Sequence, residues 1–395
     1  MNRAILAAAL LLATPAFAAD APGVTKTEIK IGQTMPYSGP ASVSGANGLA
    51  DQALMKWVND QGGINGRKVN LLSVDDAYSP PKTVEQTRKL VEQDEVAFIF
   101  RSMGTAPNTA IAKYLNDRKI PQLFIGSSAS DWNDPVKRPW SMGGSISYQM
   151  EAGIYARYAL EKNPNAKMAV LYQNDDLGKD YYNGLKKALG EKGMSHIVKD
   201  TSFEISDATV DSQVVSLQDS GADVLFLFST VRPTSMAIRK SHDIGWKPMI
   251  FIINNANTVA GTLRPAGLDK SVGVITGTYV KDPFDPQWKD DEGVKEWNAY
   301  MDKYLPNADK GDVSNVLSSV IGRMLIQTLK QAGDDLSREN IMKQARNLHG
   351  VTAPMLLPGI TYNTSPEDYR PLKQLQLARF DGERWVRFGE LITGE

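Results

Sequence analysis

Short apolar runs rich in β-branched residues alternate with longer windows in which apolar residues recur every third or fourth position, from Ile29 almost to the end of the chain. Runs of the first kind suit strands buried on both faces and windows of the second suit amphipathic helices, so the pattern predicts repeated βαβ units and a largely parallel sheet. Ile29–Thr34 opens as a strand. Ser44–Gln61 follows as a helix: Leu49, Ala50, Ala53, Leu54, Trp57 and Val58 share one face, and Gly62-Gly63 ends it. Strands at Val69–Asp75, Val96–Phe100 and Gln122–Ile125 then alternate with helices at Pro81–Gln93 and Thr105–Arg118.

The rhythm restarts with a helix over Ser147–Lys162, a strand over Lys167–Tyr172, a helix over Leu177–Lys192 and a strand over His196–Phe203. Helices at Ala208–Ser220 and Pro233–Ile244 and strands at Val224–Phe228 and Met249–Ile253 complete it. Two successive doubly wound units predict two Rossmann-like lobes in an α/β fold. The tail departs from the alternation: helical windows at Ser314–Gln331 and Ser337–Leu348 precede Lys373–Phe380 and Arg384–Leu391, two strand patterns around Asp381-Gly382 that signal a hairpin.

Composition then removes whole classes of function. Lys and Arg number 44 against 45 Asp and Glu, a formal net charge of −1, so no overall field draws the chain to nucleic acid. There is no cysteine, which excludes disulfides, thiolate metal sites, a cysteine nucleophile and a lipid-modified N-terminal cysteine. At the start, Arg3, the apolar stretch Ala4–Ala13, Pro15 and the small-x-small Ala16-Phe17-Ala18 predict a signal peptide over residues 1–18, cut before Ala19. The stretch is too short to span a bilayer, which takes about twenty residues. An untethered periplasmic protein is the expectation.

Catalytic motifs are missing. His196, His242 and His349 fall in no metal-ligating spacing, no G-x-S-x-G elbow or P-loop occurs, and Asp175, Asp176 and Asp180 lack the alternation of a calcium loop. No metal or cofactor is expected. An exported hydrolase using a carboxylate pair such as Asp75 and Asp282 remains as a remote alternative. What does recur is hydroxyl- and glycine-rich loops at strand ends, where open α/β sheets bind ligands. Tyr37–Gly45 follows the first strand, Arg101–Ala106 the third and Gly126–Ser130 the fourth. Thr105 and Ala106 open a helix whose free N–H groups suit a carboxylate, although plain helix capping explains them equally well.

Taken with IKIGQTMPYSGPASVSG, IPQLFIGSSAS, MAVLYQNDDLGKDYYNGLKKAL and TGTYVKDPFDPQW, in that order, the chain resembles the leucine/isoleucine/valine-binding periplasmic solute-binding proteins over nearly its whole length. The resemblance implies a type I fold whose two lobes are joined by three crossovers, near Met142–Gly144, Thr276–Tyr279 and Leu372–Leu375. Residues 24–143 plus 278–372 would form one lobe and 144–277 plus 373–395 the other. It implies a ligand carboxylate held by Arg101, Gly104, Thr105, Ala106, Gly126, Ser127 and Ser128, with Ser42 and Ser44 on the adjoining wall. Leu177, Val231 and either Asn254 or Asn255 would close from the second lobe. The implied partners are a small-molecule ligand and the membrane permease subunits of an ABC importer, with the protein acting as a monomer.

Two departures bear on the ligand. Where amino-acid-binding relatives present an acid to the ligand's ammonium, this chain has Asn254 or Asn255, and an unpaired buried ammonium is costly. Arg101 in the carboxylate loop either pairs with an anion or turns to solvent. Together with the missing disulfide these features shift the expected ligand from an amino acid to a hydrophobic monoanion, an aromatic or branched aliphatic acid, as in the aromatic-acid-binding branch of the family. A branched-chain amino acid is the alternative.

Overall fold

The computed structural model describes residues 21–394, so the expected signal peptide lies outside the described residues. Twelve strands form two separate sheets. The first contains β1 (Glu28–Met35), β2 (Lys68–Asp75), β3 (Ile99–Phe100), β4 (Gln122–Ile125) and β5 (Ser141–Gly143), all parallel, in the order β2-β1-β3-β4-β5. The second contains β6 (Met168–Gln173), β7 (Ile197–Phe203), β8 (Val224–Phe228), β9 (Met249–Ile252), β10 (Ile275–Thr278), β11 (Gln374–Phe380) and β12 (Trp385–Thr393). Its order is β12-β11-β10-β9-β8-β6-β7, and its antiparallel pairings are those of β11 with β10 and with β12.

Both sheets therefore share one winding. The first strand of each unit lies between the second and the third, so a topological switch point falls between β1 and β3 and again between β6 and β8. The β8 strand, VLFLF, is buried at every position, as a parallel strand covered by helices on both faces must be. The expected Val96–Phe100 strand shrinks to Ile99–Phe100, and the helix expected to end at Lys192 is interrupted at Gly190, where φ is 61°.

Among the elements that escape the periodicity are β5, β10 and the helix Glu292–Tyr304. Short strands such as the three-residue β5 carry too few positions to show alternation. The later helices pack back on the first sheet's side, where Tyr300 donates to the Ala50 carbonyl at 3.3 Å and Asn65 to the Leu329 carbonyl at 3.2 Å. The chain thus passes from the first sheet to the second after β5, returns after β10 and comes back at β11. Among the described residues no helix is long and apolar enough to cross a membrane.

Candidate functional site

A cleft lies where the carboxyl ends of the two sheets face each other, with empty space of about 810 Å³ counting its open mouth. Its first wall is built by the loops after β1 to β4. The 3₁₀ turn Ser42–Gly45 brings in Val43 and Ser44, the β2 loop adds Tyr78, the β3 loop Arg101, Met103 and Gly104, and the β4 loop Gly126, Ser127 and Ser128. Gly104 is required there: its φ is 98°, and a Cβ would sit 2.5 Å from the Tyr78 ring.

Gly104 also stands at the N-cap of the helix Thr105–Asp117, with no side chain to cap it. Pro107 has no N–H, and the Asn108 N–H reaches the Gly104 carbonyl at 3.3 Å. The N–H groups of Thr105 and Ala106 are thus left uncapped at the positive end of the helix dipole. The Ser127 hydroxyl is surrounded, with Thr105 Oγ1 at 2.8 Å and the Trp132 indole N–H donating at 2.9 Å. Its neighbour Ser128 has a buried hydroxyl without any partner.

The opposite wall mixes apolar and polar side chains. Leu177 follows β6, held by the helix cap that Asp175 makes to its N–H at 3.0 Å. Thr230 and Val231 follow β8, and Ile253, Asn255 and Thr258 follow β9. The helix Val313–Ala332 closes the cleft with Ser314, Leu317 and Ile321, and Asp312 at its N-cap faces the same space.

Three charged groups define the electrostatics. Arg101, 2% exposed, does not turn to solvent; its Nη1 donates to Asp51 Oδ1 at 2.7 Å and its Nη2 to Asn47 Oδ1 at 2.7 Å. Asp51 also accepts from Gln33 Nε2 at 2.7 Å and from Ser318, so the guanidinium is neutralised inside its own half. On the other side Glu151 is fully buried and accepts from the hydroxyls of Tyr155 and Tyr181 and from both the backbone and side-chain N–H groups of Asn254. Burial pushes its carboxyl up, against the pull of those donors. Asp312 accepts the Ser314 N–H at 3.0 Å, with the Thr258 hydroxyl beside it, and burial raises its carboxyl as well.

Of the residues expected from sequence, Ser44, Arg101, Gly104, Gly126, Ser127, Ser128, Leu177, Val231 and Asn255 all line this one cleft. Four do not. Ser42 is exposed and does not line the cleft, whereas Val43, itself 44% exposed, lines it from the same turn. Thr105 stands behind Ser127 as its support, and Ala106 lies beyond it on the helix. Asn254 is drawn away by Glu151, which settles the choice between the two asparagines in favour of Asn255 as the residue lining the cleft. The position where amino-acid-binding relatives present an acid holds an asparagine, as read from the sequence, but a different acid, Asp312, lines the cleft from a helix distant in sequence. Tyr78 was equally missed: it follows the edge strand β2, and Ala77 and Tyr78, with φ of 53° and 59°, bring its ring to the cleft.

The carboxylates of the hydrolase alternative lie apart. Asp75 is held by Lys82 at 2.7 Å and Ser38 at 2.6 Å and does not reach the cleft, whereas Asp282 lines a different cavity.

The chain matches the periplasmic binding protein family over residues 28–384. A Leu/Ile/Val-binding protein homologue of Brucella abortus (strain 2308) is 24% identical over 384 residues, covering 93% of this chain and 91% of the relative. A branched-chain amino acid ABC transporter structure from Thermus thermophilus with bound valine superposes with a TM-score of 0.84 at 16% identity, covering 94% and 98% of the two chains. The solute-binding protein of an ABC transporter from R. palustris, in complex with 4-hydroxybenzoate, gives 0.77 at 18% identity, covering 93% and 97%. The chain belongs to the periplasmic binding protein family, and its relatives are the Leu/Ile/Val-binding homologues.

Proposed function

We propose that this protein is the exported, untethered substrate-binding component of an ABC importer, that it is not an enzyme, and that its cleft captures a small hydrophobic carboxylate, an aromatic or branched aliphatic acid. The observation that carries the ligand class is the partnerless Ser128 hydroxyl beside an uncapped helix start, facing Leu177, Val231 and Ile253 on a wall that also holds Thr230, Asn255 and Thr258. A carboxylate suits the hydroxyl and helix start, and an apolar body the aliphatic side chains facing them. In this reading the anion is held by neutral donors and helix dipole, while Arg101 serves Asp51. Binding draws together lobes formed by 24–143 plus 278–372 and by 144–277 plus 373–395, after removal of residues 1–18. The bound 4-hydroxybenzoate of one structural neighbour is consistent with this class.

Asp312 favours a second reading, a branched-chain amino acid whose ammonium pairs with that carboxylate, and another neighbour holds valine. A thermal-shift panel decides between them. Aromatic and branched aliphatic acids stabilise the protein on the first reading and L-leucine does not; leucine giving the largest shift establishes the second. Stabilisation by neither class counts against both.

A further inference from the structure

A second cavity lies beyond the strip formed by Thr258 and Asp312. Those two residues face the cleft, while their neighbours Asn257, Val259, Gly311 and Val313 face this other space, which measures about 820 Å³ with its mouth. Its charge is of one dominant sign. Five cations, Arg264, Lys281, Lys310, Arg384 and Arg387, line it against two acids, Asp282 and Glu383.

Four of those cations already have carboxylate partners: Arg264 with Asp309, Lys281 with Asp291, Lys310 with Asp302, and Arg384 with Asp285 and Asp381. Arg387 has none among the described residues. Its Nη1 donates to the neutral Gln376 Oε1 at 2.8 Å and its Nη2 to Gln287, while its Nε is buried without an acceptor. The guanidinium lies 4.8 Å from the centre of the Trp288 ring, which fixes its plane. Around it the surface is apolar: Phe284 is 58% exposed, and Trp385 has its indole N–H engaged by the Asn257 carbonyl at 2.8 Å, leaving its ring as wall. Asp282 faces the same space but accepts the Phe284 N–H at 2.9 Å.

We propose that this cavity is a second binding site, for a small organic anion with an apolar body, whose charged group pairs with Arg387 and whose body lies on Phe284 and Trp385. Its walls join the segment 310–316, which packs with the first sheet's helices, to the segments 257–264 and 383–387 of the second. An occupant ties these segments together and stabilises the arrangement in which the cleft is formed; by linkage it tightens the cleft for its own ligand, and that ligand tightens this site equally. The proposal does not depend on which ligand the cleft takes.

Fluorescence titration with 8-anilinonaphthalene-1-sulfonate, an aromatic anion, tests it on the intact protein. The wild type binds one equivalent saturably. Arg387→Gln removes the charge and weakens the dye at least tenfold; Phe284→Ala, at a position 58% exposed, weakens it severalfold. Ser44→Trp, which obstructs the cleft, leaves it unchanged. Absence of saturable binding to the wild type, wild-type affinity in both Arg387→Gln and Phe284→Ala, or loss of the dye in Ser44→Trp overturns the proposal.

Discussion

Each half of the molecule buries one charge beneath the cleft, and the two are treated differently. In the first half Arg101 meets the opposite charge of Asp51, helped by Asn47, Gln33 and Ser318. In the second, Glu151 meets no cation and is surrounded by neutral donors from Tyr155, Tyr181 and Asn254. The lesson is that a charged residue in a binding loop is not thereby a ligand contact. A charge fixed by its own half keeps the loops in place, and the ligand meets what is left over, here the Ser128 hydroxyl, uncapped N–H groups and the Asp312 carboxylate.

The largest effect should come from breaking the ion pair. Asp51→Asn strands a buried guanidinium and costs about 3–5 kcal/mol in urea denaturation, and adding Arg101→Gln restores much of the loss. A change below about 1 kcal/mol in Asp51→Asn would show that Arg101 does not rely on Asp51 and is free for an anion. Glu151→Gln is expected to cost less, about 1–3 kcal/mol, because one amide hydrogen then faces a donor.

That second variant also has a pH signature. With its carboxyl raised by burial, native Glu151 keeps its proton at a pH where the unfolded chain has already lost it. Its contribution is therefore full below the ordinary glutamate value and is lost as pH rises through the native one. Stability of the wild type should fall with rising pH across that window more steeply than that of Glu151→Gln; parallel curves would contradict the placement.

Smaller effects fall on the ligand. Ser128→Ala should weaken a carboxylate by about 1 kcal/mol, roughly fivefold, without altering stability in calorimetry. Asp312→Asn should tighten an anion by a few-fold and weaken an amino acid. Lowering the pH acts in the same direction for the wild type, since burial raises the Asp312 carboxyl and its protonation removes a charge an anion avoids. Opposite signs in either experiment would move the ligand class to the zwitterion.

Much of this arrangement was legible in the chain. The alternation of strands and helices predicts a doubly wound fold with binding loops at strand ends, which is why Ser44, Arg101, Gly104, Gly126, Ser127 and Ser128 share one cleft; Leu177, Val231 and Asn255 were reached through the family resemblance. Periodicity is blind to what packing decides. Nothing near Asn254 and Asn255 says which is turned away, because the cause, Glu151, lies on another helix. Asp312 reaches the cleft only because helix Val313–Ala332 folds back across the first half, where Ser314 accepts from Asn47 at 3.2 Å. Ser42 stays outside the cleft for a local reason: it begins the 3₁₀ turn Ser42–Gly45 with its side chain exposed.

The central claim is that the cleft takes a hydrophobic anion on neutral donors. Calorimetric titration of the wild type at pH 7 with 4-hydroxybenzoate and L-leucine side by side, with solution scattering of each mixture, tests it most directly. Saturable binding of the aromatic acid with a fall in radius of gyration, and no response to leucine, is the predicted result. Leucine binding and closing the protein while the aromatic acid does neither would contradict it.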